Sequence, residues 1–322
     1  MNQPLVSVKT ITYNHALYIR ECIEGVLMQK TNFPFEFIIG DDCSTDGTTK
    51  IVNEYAQKYP GTIRLVSSSE NVGAHENDKR TYNACQGKYI ALCEGDDYWT
   101  DPMKLQKQFD FMETHPDYGM VHTSYSNKVG LLMVRDVLKY KNIPEGEVFQ
   151  DLILNNFVVT ATVFMRRSLL QDIQVNDFII EKNWAMGDYP MWLELAARSK
   201  IGFLSEDMAT YRVHSASASH HLDWKGMYSF FENRFDIKKH YAEKYHCLHL
   251  LPLLEQMYHK ELLKYSIFLK NKKLREKCVR YFNSLKRDKP ILWFLFAKHK
   301  ILDPLFAFLY FLKKKFKLRE SL

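Results

Sequence analysis

Through the first hundred residues the apolar positions change period back and forth. Residues 5–10 (LVSVKT) form a short β-branched run, and after it Ile19, Ile23, Val26 and Leu27 fall on one helical face. Residues 35–40 (FEFIIG) read as a buried strand, 48–59 as a helix with Ile51, Val52 and Tyr55 inward, and 63–66 as a third strand. A helix through 78–84 then leads into 89–93 (YIALC), again a buried strand. Strand–helix alternation of this kind predicts an α/β protein with right-handed crossovers and a mostly parallel sheet covered by helices on both faces. Ligands of such sheets collect outside the carboxyl ends of the strands, and two acidic clusters stand at such ends.

From about 118 to 222 the pattern is mixed, with short strands near 157–166 and 201–204 and a helix near 189–200. Beyond 223 the chain reads as helical, with apolar residues clustered through 248–269 between lysine-rich flanks. Charge sharpens that division. Residues 1–222 hold 21 basic and 28 acidic side chains, a net of −7, whereas 223–322 hold 23 and 10, a net of +13. The expected organisation is therefore a catalytic domain over 1–222, with a nucleotide-binding part at 1–117 and an acceptor part at 118–222, and a helical basic region over 223–322. With 322 residues and 46% apolar content the chain can bury a sizeable core, which excludes wholesale disorder. Six scattered cysteines without CxxC spacing fit buried free thiols in a reducing compartment. The opening MNQPLVSVKT lacks the basic and apolar regions of a secretory signal, and no run of about 20 apolar residues occurs, so a cytoplasmic protein is expected.

The first acidic cluster is Asp41-Asp42-Cys43-Ser44-Thr45-Asp46-Gly47. Capping and turn chemistry accounts for Thr45 and Asp46. It accounts poorly for Asp41 beside Asp42, because adjacent carboxylates repel and a cap needs one; a carboxylate here suits a base N–H or a ribose hydroxyl. The second cluster, Glu94-Gly95-Asp96-Asp97-Tyr98-Trp99, gathers three carboxylates at the end of an apolar strand. Hard oxygen ligands grouped this way suit Mg²⁺ or Mn²⁺, which usually shares its coordination sphere with substrate phosphates. Neither GxGxxG nor GxxxxGK[ST] is present, so the dinucleotide fingerprint and the P-loop are both excluded.

Taken in order, Val6-Ser7-Val8 with Thr12-Tyr13-Asn14, IIGDDCSTDGT (38–48), Asn71-Val72-Gly73, Gly87-Lys88-Tyr89-Ile90, EGDDYWTDP (94–102), Gly187-Asp188 and Tyr211-Arg212-Val213-His214 resemble family 2 glycosyltransferases of the GT-A fold, such as those of bacterial surface polysaccharides. The match spans roughly residues 3–220. The resemblance implies an inverting, metal-dependent transferase acting on a nucleotide-sugar donor, UDP-linked by expectation, and on a glycan or lipid-linked acceptor. It places Tyr13 near the base ring and gives the base N–H to Asp42, with Asp41 as rival. Asp96 takes the last DxD position and the divalent cation. Glu94 stands where the family usually has the first aspartate, which lengthens the reach of that carboxylate. Asp97 serves the ribose or the outer shell of the metal, and Asn77-Asp78-Lys79-Arg80 replaces the family's Arg-Asn pair. Asp188 corresponds to the catalytic base; an aspartate followed by Pro190 also reads as a helix N-cap, and the two roles are compatible. His214 is a candidate third metal ligand, Arg212 a candidate for the diphosphate or acceptor, and 215–219 a mobile loop. Trp99 and Trp184 default to core positions, with sugar stacking as the alternative.

In the basic region, residues 290–312 are rich in Leu, Phe and Trp but carry Lys298, His299, Lys300 and Asp303, with Pro304 breaking the helix and Lys313-Lys314-Lys315-Phe316-Lys317 following. Apolar helices interrupted by cations suggest peripheral attachment to an anionic membrane surface on the inner face of the cell membrane. A helical subdomain packed on the catalytic domain is the alternative, and no aromatic-basic module for nucleic acid is present. From another class, the rival to an enzyme is a non-catalytic nucleotide-sugar-binding or scaffold protein of a polysaccharide assembly complex.

Overall fold

A computed structural model describes residues 3–135, 142–171, 175–214, 223–285 and 290–319. The chain divides into two compact units, Met1–Val213 and His214–Leu322, a few residues upstream of the division drawn from charge. The expected loop at 215–219 lies outside the described residues.

The first unit begins as the periodicity predicts. Strands β1 (Val6–Thr12), β2 (Phe35–Asp41), β3 (Ile63–Ser67) and β4 (Tyr89–Leu92) lie in the order β3-β2-β1-β4, all parallel. Helices α1 (Ile19–Leu27), α2 (Thr48–Lys58) and α3 (Ala74–Ala84) form the crossovers. α1 buries Ile19, Cys22, Ile23 and Val26, three of them the face read from the sequence. They pack with Val6, Val8, Phe37, Ile39 and Tyr89 into one core. Gly25 lets α1 approach the next segment closely, since a Cβ there would stand 2.9 Å from the backbone N and O of Trp99.

Beyond β4 the sheet changes character. Short β5 (Tyr98–Trp99) is followed by α4 (Lys104–Thr114), then by β6 (Tyr118–Val129) and β7 (Leu132–Val134), which form a hairpin. Next come α5 (Phe149–Leu154), β8 (Phe164–Arg166), α6 (Ser168–Gln171), α7 (Val175–Lys182), α8 (Asp188–Arg198) and the long β9 (Lys200–Val213). The complete order is β3-β2-β1-β4-β8-β6-β9-β5, with β7 on β6. β8 is antiparallel to both neighbours and β5 is antiparallel to β9, while β6 and β9 run parallel. The mostly parallel sheet that was expected is wholly parallel from β1 to β4, where strands and helices alternate, and gives way to mixed pairing where they no longer do.

β6 was not legible because its sequence, YGMVHTSYSNKV, is polar. It is nevertheless central, with His122, Thr123 and Ser124 all buried. His122 is 2% exposed, its Nε2 has no hydrogen-bond partner, and burial pushes its pKa down to about 3. The unfolded chain takes a proton there below about pH 6.5 while the folded chain refuses it, so stability is lost as pH falls from 6.5 toward 3. The expected slope is roughly 1.4 kcal/mol per pH unit over that window. His122→Leu should flatten this acid limb in thermal unfolding measured between about pH 7 and pH 4. An unchanged limb would place the acid sensitivity elsewhere.

The second unit is helical: α9 (Trp224–Lys244), α10 (Leu251–Phe268), α11 (Lys272–Ser284), α12 (Ile291–Lys298) and α13 (Asp303–Arg319). Its own core contains Phe231, Tyr258, Leu262, Leu263, Cys278, Phe282, Phe296 and Phe306. Arg275 of α11 ties three helices together. Its Nε donates to Ala297 O at 2.9 Å and its Nη2 to Phe296 O at 2.6 Å, while Nη1 and Nη2 grip the Asp303 carboxylate at 2.8 and 2.7 Å. No helix among the described residues is long and apolar enough to cross a membrane. All six cysteines are free, and all but Cys43 are buried.

Candidate active site

Three loops leave the carboxyl ends of β1, β2 and β4 and meet at one edge of the sheet. α1 carries the chain from β1 outward to β2, whereas α3 carries it from β3 back to β4 on the far side of β1. The crossovers therefore diverge between β1 and β4, the position where open α/β sheets take their ligands.

The first two loops are zipped together. Asn14 N–H donates to Ser44 Oγ at 2.9 Å and Asn14 Oδ1 accepts from Thr45 N–H at 2.9 Å. His15 N–H reaches Thr48 Oγ1 at 2.8 Å and Ala16 N–H reaches Asp46 Oδ2 at 2.9 Å. Asn14 (φ 56°) and Cys43 (φ 60°) both sit in the left-handed region, an uncommon conformation for non-glycine residues. The zipper leaves Tyr13 at the rim with 44% of its surface exposed.

Asp41 and Asp42, adjacent in sequence, have different surroundings. Asp41 is buried and accepts from the Ser44 and Thr49 hydroxyls, so its oxygens hold the turn before α2. Asp42 accepts from Val72 N–H at 2.8 Å and Gly73 N–H at 2.9 Å, with Arg80 Nη2 3.7 Å away, and thereby holds the Asn71-Val72-Gly73 turn. Arg80 also donates to Asp41 O at 2.7 Å. In the helical segment that replaces the Arg-Asn pair, Asn77 supports Gly40 O at 2.9 Å and Asp78 pairs with buried Lys9.

The acidic loop is held through its backbone. Cys93 N–H donates to Lys9 O at 3.2 Å and Gly95 N–H to Ile11 O at 3.1 Å, which lays the loop across the end of β1. Gly95 is required by this closeness, because a Cβ would stand 2.6 Å from Thr12 Oγ1 and 2.9 Å from His15 Nδ1. On the other side β9 clasps the loop: Arg212 N–H donates to Asp97 Oδ1 at 2.7 Å and Arg212 Nε to Asp96 O at 2.8 Å. The guanidinium lies over the rings of Tyr18 and Tyr98, 4.7 and 5.2 Å from their centroids, and its Nη2 is 3.2 Å from Glu21. Arg212 thus shapes the acidic loop from behind.

Asp188 opens α8 on the same edge. Its cap is Gly187, so Asp188 is the first helical residue and not the N-cap. Thr160 Oγ1 donates to Asp188 Oδ2 at 2.9 Å and Tyr189 N–H to Oδ1 at 2.7 Å. Beside it, His75 Nε2 is 2.7 Å from Trp184 O.

Burial, followed by the charges of Asp96 and Asp188, pushes Glu94 up to about 8. Burial and the charges of Asp96 and Glu94 likewise raise Asp97 well above the carboxylate range, and its Oδ2 has no hydrogen-bond partner. Burial raises Asp188 as well, against the pull of the Thr160 hydrogen bond. Glu94, Asp96, Asp97 and Asp188 thus form one electrostatic cluster, and the nearby Lys9 is already committed to Asp78. Hard oxygens gathered in this way fit a divalent cation. Among the described residues no three His, Cys, Asp or Glu side chains are assembled to hold an ion, so the donor phosphates and water would supply the remaining ligands. His214 follows the last residue of β9 and begins the second unit. Trp99 and Trp184 are each 2% exposed, and Trp99 Nε1 donates to Ala161 O at 2.8 Å, so both are core residues.

Sequence reasoning missed Lys9 and Thr160, and gave Asp78 no partner. Lys9 left one signal, a charged residue inside a β-branched strand too apolar to leave it in solvent. Thr160 left none, since its role exists only once the turn at Thr160–Thr162 meets α8.

A mixed sheet with acidic loops at its topological switch point defines an α/β architecture with a ligand site at that edge. The family description "Glycosyl transferase family 2" matches residues 7–174, and the chain belongs to that family. It is 33% identical over 227 residues to TuaG of Bacillus subtilis (strain 168), assigned provisionally as a glycosyltransferase of teichuronic acid biosynthesis, covering 69% of this chain and 84% of TuaG. It is 36% identical over 239 residues to the uncharacterized protein Rv1520 of Mycobacterium tuberculosis (strain ATCC 25618 / H37Rv), covering 71% of this chain but only 64% of that relative's length. Among solved structures, S. aureus TarS 1-349 in complex with UDP-GlcNAc superposes with a TM-score of 0.53 at 20% identity, covering 72% of this chain and 65% of TarS 1-349. The mannosyltransferase PcManGT from Pyrobaculum calidifontis, in complex with GDP-Man and Mn2+, superposes with a TM-score of 0.55 at 15% identity, covering 95% and 87%. These superpositions carry the GT-A fold.

Proposed function

We propose that the chain is an inverting glycosyltransferase that moves a hexosyl or N-acetylhexosaminyl group from a nucleoside-diphosphate sugar, UDP-linked, to a hydroxyl of a glycan or lipid-linked acceptor in surface polysaccharide synthesis. The observation that carries this reading is Asp188, positioned by Thr160 at the edge where Glu94 and Asp96 gather. The names of TuaG and of the TarS complex support the pathway and the donor class.

In this reading Tyr13 lies against the base, with Asp41 and Asp42 shaping the turns around it, and Asp97 sits toward the ribose. Glu94 and Asp96 would hold Mn²⁺ or Mg²⁺, and Arg212 fixes the Asp96 carbonyl beside them. When bound, the cation supplies positive charge that offsets the charge developing on the departing diphosphate. The Asp188 carboxylate takes the proton of the acceptor hydroxyl as that oxygen forms its bond to the anomeric carbon, and the bond to the diphosphate breaks with its electron pair leaving on oxygen. Burial raises the pKa of Asp188 above the ordinary aspartate value, which makes its carboxylate a stronger base.

The test is thermal unfolding with UDP, UDP-sugars and GDP-sugars, each with Mn²⁺ and with EDTA. UDP and one UDP-sugar should stabilise in the presence of metal, by about 2.7 kcal/mol at a hundredfold excess over Kd. Asp96→Ala should lose the metal-dependent part of that shift. Equal shifts with EDTA would remove the metal from the mechanism. No shift with any nucleotide would favour the non-catalytic scaffold.

A further inference from the structure

The second unit carries a surface that its own core does not use. Along α12, the turn Lys300–Leu302 and α13, seven large apolar side chains point to solvent: Leu292, Leu295, Ile301, Leu305, Phe308, Leu309 and Phe311. Ile301 is 87% exposed and Phe308 60%. The opposite sides of the same helices are anchored, with Phe296, Ala297 and Phe306 in the core and Arg275 gripping the α12 carbonyls and Asp303. The apolar face is therefore held on a fixed frame.

Beside it, between α11 and the end of α12, lies a cavity of about 300 Å³ whose lining includes Lys272, Glu276, Arg280, Lys298 and Lys300. Lys272 stands 3.8 Å from Glu276, which leaves cationic charge in excess. Cations at the edge of an exposed apolar face complement an anionic interface in which acyl chains lie next to phosphates.

We infer that this unit binds anionic phospholipid at a membrane surface, with a headgroup phosphate in the Lys272–Arg280–Lys298–Lys300 cavity and the Ile301, Leu305 and Phe308 side chains in the acyl boundary. The attachment is interfacial, since none of the described helices can span a bilayer. Every residue it invokes belongs to the second unit.

The experiment is co-sedimentation of the full chain with vesicles of phosphatidylcholine alone and of phosphatidylcholine with phosphatidylglycerol. Binding should require phosphatidylglycerol and weaken in high salt. Lys298→Gln with Lys300→Gln should lower the partition coefficient about fivefold per charge. Ile301→Ser, Leu305→Ser and Phe308→Ser together should lower it by more than about tenfold. All these positions are exposed, and unchanged circular dichroism and unfolding temperature would show that the variants fold. Equal binding to phosphatidylcholine alone would overturn the headgroup assignment. Binding unaffected by the apolar substitutions would overturn the insertion face. Saturable binding of inorganic phosphate without vesicles, or self-association abolished by the same substitutions, would assign the surface to a soluble anion or to a second copy and overturn the inference. UDP binding, measured without lipid, should be the same in every variant.

Discussion

Asp188→Asn is expected to lower kcat by about a thousandfold while leaving donor affinity within about twofold. The substitution removes the basic oxygen pair but keeps the shape. An asparagine carbonyl can still accept from Tyr189 N–H, and the Thr160 hydroxyl can rotate to accept from the new amide. The start of α8 therefore keeps its geometry, and relief of the repulsion from Glu94 favours folding of the variant. Single-turnover transfer measured beside donor titration makes the distinction. Loss of donor binding together with loss of rate would assign Asp188 to the architecture of the site. Thr160→Val separates positioning from chemistry: the carboxylate remains, one oxygen loses its donor, and the rate should fall by about tenfold.

The second large effect lies in the helical unit. Arg275→Ala should destabilise it by about 3 kcal/mol, because the truncation strands a carboxylate and two carbonyl oxygens. Phe296 O and Ala297 O belong to the last turn of α12, whose carbonyls have no helical partner, so the guanidinium acts as their cap. Lysine cannot replace it, since a single ammonium cannot grip both Asp303 oxygens and reach two carbonyls in one plane. Hydrogen exchange should show faster opening of 291–311, with Tyr258, Leu262 and Phe282 less affected. Arg275→Met with Asp303→Leu should recover part of the loss, because no charge is then left unpaired. A silent single variant would show that other contacts hold α12 and α13.

Local pattern made the first hundred residues readable, because each strand there is apolar, each helix is one-faced, and the two alternate. Ile19, Ile23 and Val26 point where their spacing puts them. The acidic clusters were equally visible, since carboxylates at strand ends are costly unless used. The second half was less so. β6 is stabilised by its neighbours on both sides and tolerates His122, Thr123 and Ser124, so its composition hides it. β8 is only three residues long, too short for any period to register. Within the site, the sequence identified Asp41 and Asp42 as a pair but not their division of labour, which depends on hydroxyls and amides up to thirty-one residues away. Arg212 read as a ligand-facing cation; its position between Tyr18 and Tyr98, behind the acidic loop, arises only when β9 pairs with β5.

The way the acidic loop is tethered bears on how this chain can be re-engineered. Its path is set by amides and carbonyls of Cys93, Gly95 and Asp96 joined to Lys9, Ile11 and Arg212, and by the Asp97 carboxylate on the Arg212 amide. Exchanging Glu94 for aspartate therefore shortens one carboxylate without rerouting the chain, whereas a Cβ at Gly95 would collide with Thr12 and His15. In the proposed reading, libraries aimed at a new donor base are best built at the exposed Tyr13, with the tether left untouched.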